Sequence, residues 1–155
     1  MSNIYFPDEE ITYNDLYFVC YMIERVARSI KQRNRYVVER IGSMGLARQL
    51  STADTNHCLN PEQVVSDWRE EYHLENGTTD VTHIDSHYAD TVPSATQMGK
   101  VYARLIETVS QGQNLVQSLQ EVYASPICDI IDNYNTGAYY EPSYIQVRAY
   151  RNGFF

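Results

Sequence analysis

The chain has 155 residues, 43% of them hydrophobic and 21% charged, with a formal charge of −8. Those ordinary proportions exclude wholesale disorder, collagen and a membrane bundle, and no apolar run approaches the roughly 18 residues of a spanning helix. The acidic excess is concentrated. Residues 61–95 carry Glu62, Asp67, Glu70, Glu71, Glu75, Asp80, Asp85 and Asp90 against Arg69 alone, whereas basic and acidic side chains cancel over residues 1–60. Such a field repels phosphate backbones, so general nucleic-acid binding is not expected.

Residues Met1 to Ile11 are polar and acidic, the reverse of a signal peptide, and a cytoplasmic location is expected. Thr12 is a natural N-cap with Asp15 three positions on. Leu16, Val19, Cys20, Ile23, Val26, Ala27 and Ile30 then repeat at spacings of three and four, predicting one central helix from Thr12 to Arg33. Asn34 is read as its breaker. Tyr36 to Ile41 predicts a short helix stopped by Gly42, and Ser43 or Gly45 starts another that buries Leu46, Ala47 and Leu50.

Asn60 and Pro61 open the next helix, whose apolar face is Val64, Val65, Trp68 and Tyr72, with Asn76-Gly77 as its end. Thr78 to Pro93 has no helical period and reads as a long acidic irregular connection. Ser94 and Gln97 form a capping-box pair before Met98, Val101, Tyr102, Leu105, Ile106 and Val109. After Gly112 a helix carries Leu115, Val116, Leu119, Val122 and Tyr123, and Ser125-Pro126 restarts it with Ser125 as N-cap. In the last segment Ile145, Val147 and Ala149 alternate as in a strand, but Pro142 and Gly153 favour a helix. The expected fold is all-α, a single-domain bundle of six or seven helices spanning residues 1–155.

Chemistry-bearing motifs are sparse. Cys20, Cys58 and Cys128 are widely spaced, which suits free thiols in a reducing compartment. Cys58 follows His57, but sequence adjacency is not the spatial pairing a nucleophile needs. His83 and His87 could share a helical face around zinc, yet Ile84 stands where a metalloprotease has its general base, and the surroundings read as loop. They remain candidate ligands for a metal-dependent hydrolase reading. No phosphate-binding glycine loop and no nucleophile elbow is present, so neither a cofactor nor catalysis is expected.

Tyrosine is the compositional oddity, with 14 residues against four Phe and one Trp. Tyr139, Tyr140 and Tyr144 sit among turn formers and read either as core closure or as an interface. With the acidic pair Glu70 and Glu71 they form the candidate surface for a basic protein partner, alongside a possible homodimer. Arg28, Lys31, Arg33 and Arg35 read as a solvated helix end. The rival reading joins Arg28 to Arg48 with the short helices into a DNA-binding regulator of helix-turn-helix type.

Leu16 to Glu24, the short helix around Val37 and Val38, the Gly45-Leu46 turn and Val64 to Trp68 together resemble small bacterial helical domains of uncharacterised function. Such domains are often encoded beside toxin-like genes. The resemblance covers the first half and implies a protein-binding or antitoxin-like role. Ser125 to Gly153 resembles the C-terminal part of related small bacterial proteins. Neither similarity implies a particular functional residue.

Overall fold

In a computed structural model, which describes residues 1, 3–111 and 113–155, the chain forms a bundle of seven α-helices. The helices are α1 Tyr13–Ile30, α2 Asn34–Asn56, α3 Pro61–Glu71, α4 Ala95–Ser110, α5 Leu115–Ala124, α6 Pro126–Ile131 and α7 Ser143–Asn152, with a 3₁₀ turn at Ala138–Tyr140. No strand occurs among the described residues. The expected break at Gly112 lies outside them. None of these helices is long and apolar enough to cross a membrane.

α1 is central, packed by α4, α2 and α3. Its predicted stripe is buried throughout, and so are Met22 and Glu24 outside that stripe, because neighbours cover the helix on more than one side. Burying each large aliphatic side chain contributes about 1.5–3 kcal/mol, so this helix carries much of the core. The capping boxes at Thr12/Asp15 and Ser94/Gln97 both form as their spacing predicts. Asn60 caps α3 through the Glu62 amide, with Pro61 at the first helical position.

Three boundaries, and the capping bond at a fourth, differ from the sequence reading. α1 stops at Ile30 rather than Arg33: Lys31 turns left-handed (φ 54°), and the Gln32 amide returns to the Ala27 carbonyl. Asn34 is consequently not a breaker but the buried first residue of α2. α3 ends at Glu71, five residues before Asn76. The Gly77 amide instead donates to the Ile30 carbonyl (2.7 Å), tying the acidic connection to the end of α1. Ser125 has the extended backbone of an N-cap, but its hydroxyl donates back to the Val122 carbonyl (2.7 Å) and leaves α6 uncapped by a side chain.

The two short helices expected around Gly42 are continuous except at that residue, whose φ of 73° and ψ of 174° kink α2. A glycine also permits a close helix contact. Gly99 of α4 lies against the α1 backbone, where an added methyl would stand 2.9 Å from Tyr21 Cα and 3.0 Å from its amide nitrogen. Tyr123 stacks on Tyr102 at 4.4 Å with its hydroxyl buried and, among the described residues, without a hydrogen-bond partner. Gly99→Ala should therefore cost about 1–3 kcal/mol by forcing α1 and α4 apart. Tyr123→Phe should be neutral or stabilising by up to about 1 kcal/mol, since it deletes an unsatisfied group. Urea denaturation of both variants checks the contrast.

Candidate functional site

Glu24 falls four residues after Cys20, inside the apolar surface of α1, and is 1% exposed. A carboxylate there needs partners, because an isolated buried charge is costly. Arg28, one turn on, holds Oε1 at 3.0 Å; the Tyr134 hydroxyl donates to the same oxygen; Asn34 Nδ2 donates to Oε2 at 2.6 Å. Arg28 reaches further, to the Pro93 carbonyl (2.7 Å) and over the Tyr134 ring.

The same Asn34 amide also donates to Asp132 Oδ2 (3.1 Å), so one side chain bridges two carboxylates. Asp132 further accepts from the Tyr102 hydroxyl (2.5 Å) and the Cys128 thiol (3.3 Å). Among the described residues no cation lies within ion-pair distance of it. Burial, and next the negative charge of Glu24, push the Asp132 carboxyl up from its ordinary 3.8 to about 7. Burial first, then Asp132, also raise the Tyr102 hydroxyl and the Cys128 thiol well above their usual ranges. Cys128 therefore stays a protonated donor, and the reactivity of a thiolate is not available to it.

Asp132, Cys128 and Tyr134 form the inner wall of a cleft of about 220 Å³. Its rim is Arg33 and Arg35 on one side and Thr79, Asp80 and His83 of the acidic connection on the other. Arg35 and Arg33 both lie on Asp129, at 3.0 and 3.8 Å, and Lys31 pairs with Asp80 at 3.5 Å. Backbone bonds fix the connection: Thr79 donates to the Lys31 carbonyl (2.9 Å), and the Asp85 amide donates to Asn135 Oδ1 (2.7 Å).

The residues singled out from the sequence separate into groups. Tyr139 is half-buried, edge-on to both Tyr134 and Tyr140, whereas Tyr140 and Tyr144 are 77% and 71% exposed. Glu71 is engaged by Arg48 of α2, and Glu70 is exposed beside Ser29 of α1. Among the described residues, no hydrogen bond or ion pair brings either acid to the tyrosines.

His83 reaches the cleft rim, while His87 lies edge-on to Tyr88 at 5.4 Å. Among the described residues, no group of three or more His, Cys, Asp or Glu side chains is arranged to hold a metal ion. Cys58 Sγ does approach His57 Nε2, at 3.8 Å, on the exposed end of α2. Of the basic cluster, Arg28 is drawn inside by Glu24, whereas Lys31 and Arg33 stay exposed at the end of α1 and pair with Asp80 and Asp129, the latter shared with the half-buried Arg35.

Comparison of the chain with protein-family models, with curated proteins and with solved structures finds no match.

The raised Asp132 value fixes the sign of a pH effect. Between pH 3.8 and about 7 the folded protein keeps a proton that the unfolded chain has lost. The Asp132 contribution to stability therefore declines as pH rises through that window, by up to about 1.4 kcal/mol per pH unit, and is level above it. Urea titrations of the wild type and Asp132→Asn at pH 5, 6, 7 and 8 isolate the term: the wild type should lose stability relative to the variant as pH increases.

Proposed function

We propose that this chain is a non-catalytic protein-interaction module that binds a basic protein partner. An antitoxin-like role falls within that reading. The observation that carries it is the Asp85–Asn135 hydrogen bond, which fastens the acidic connection beside the segment bearing Tyr139, Tyr140 and Tyr144. The acidic connection is thereby joined to the turn that leads to the exposed rings. Among the described residues Asp85 and Asp90 pair with no cation, so their charge remains available to steer a positive partner. Tyr140 and Tyr144 offer the amphipathic area that anchors interfaces.

The DNA-binding alternative is less well supported, because the cations it needs are already occupied. Arg35 donates to the Ser125 carbonyl (3.0 Å) as well as Asp129, and Arg48 pairs with Glu71, which leaves the exposed Arg40, held by the His73 carbonyl and the Tyr36 ring, as the cation of α2 without an acidic partner among the described residues. A homodimer through the same face would set its acids against themselves, which disfavours that partner. The hydrolase alternative has His83 and His87 in an irregular connection, in contact with different neighbours.

Affinity capture from lysate of the source cell, with the wild type and a Tyr140→Ala/Tyr144→Ala variant, tests the reading. Both rings are exposed, so the variant should fold normally. A basic protein should be retained, weakened by salt, and bound about thirtyfold less tightly by the variant if the rings contribute about 2 kcal/mol. Equal retention by the variant, or retention of DNA instead, rejects the proposal.

A further inference from the structure

The charges around the cleft do not balance where they stand. On the rim, two guanidiniums, Arg33 and Arg35, share the single carboxylate of Asp129. On the inner wall, Asp132 has hydrogen-bond donors but, among the described residues, no cation within ion-pair distance. Asp129 and Asp132 are three residues apart at the end of α6, about 5–6 Å between Cβ atoms for helical neighbours of that spacing. An excess positive charge at Asp129 and a carboxyl group without an ion-pair partner at Asp132 thus line the same small cavity.

We propose that this cleft binds a small zwitterion of the free α-amino acid class, its ammonium on Asp132 and its carboxylate on Arg33 and Arg35. A cavity of about 220 Å³ lies below the range of about 300–1,000 Å³ that takes drug-sized ligands, and suits a molecule of this size. The opposed charges select against ligands of a single sign. A simple amine would leave Arg33 and Arg35 sharing Asp129, and a simple carboxylate would leave Asp132 as it is. The inner-wall polar groups are held in place by one another, so the site does not depend on ordering a loop.

The surroundings set the pH behaviour. Glu24 and Arg28 face Asp132 from α1 through Asn34 of α2, Tyr102 faces it from α4, and Cys128 lies one turn before it on α6. Asp80 and His83 complete the rim. The ligand ammonium favours ionised Asp132, so affinity should increase up to tenfold per pH unit below pH 7, level off above it, and be accompanied by proton release.

Calorimetric and NMR titrations with L-alanine, ethylamine and propionate, at constant ionic strength from pH 5.5 to 8, test the proposal. L-Alanine should bind at least tenfold more tightly than either fragment and shift the Asp132 carboxyl resonance. Arg33→Gln, altering an exposed side chain, should weaken L-alanine binding, and Asp132→Asn should abolish both binding and its pH dependence. His83→Gln should keep that dependence. Binding of ethylamine or propionate as tight as L-alanine, loss of the pH dependence in His83→Gln, or no perturbation by L-alanine of the wild type overturns it. If Asp132→Asn fails to fold, Arg33→Gln and the fragment comparison decide alone.

Discussion

A carboxylate in the middle of the central helix governs how this bundle is assembled. Glu24 cannot be left among aliphatic side chains without compensation, and its partners come from widely separated parts of the chain: Arg28 from its own helix, Asn34 from the start of α2, Tyr134 from beyond α6. Through Arg28 the network extends to Pro93, immediately before the cap of α4. Removing one partner of a buried pair commonly costs about 3–5 kcal/mol, because the other charge is stranded. The directionality of these bonds also admits few arrangements of the helix ends around α1, where apolar packing alone would tolerate sliding.

Much of the architecture follows from local rules that act within a few residues. The Thr12/Asp15 and Ser94/Gln97 boxes, Asn60-Pro61, and the stripes of α1, α4 and α5 all use side chains close in sequence, so they can be read one after another. The missed features are those set from a distance. Lys31 takes the left-handed conformation although glycine is the usual choice there, and the carbonyls next to it are met by Gly77 and Thr79. Asn34 resembles a breaker in isolation because the carboxylates it bridges lie 10 and 98 positions away.

The polar site did leave a trace in the sequence. Glu24 stands four residues after Cys20 and Asp132 four after Cys128, each continuing an apolar face with a carboxylate. A charge at such a position signals either an exposed helix edge or a buried polar network. Only tertiary packing separates the two. The exposed tyrosines present the opposite ambiguity: Tyr134 and Tyr140 occur in the same turn-rich segment, yet one closes the Glu24 network and the other is in solvent.

The kink in α2 has a stereochemical consequence. At Gly42 nothing stands within 4 Å of where the Cβ of an L-residue would be, so crowding is not what excludes one. The obstacle is handedness: φ 73° with ψ 174° is poorly accessible to L-residues, and its mirror image is ordinary extended backbone. A D-alanine introduced there by chemical ligation would adopt the native dihedrals as its preferred ones. It would also narrow the conformations open to the unfolded chain, so the handedness of one α-carbon acts on both sides of the folding equilibrium.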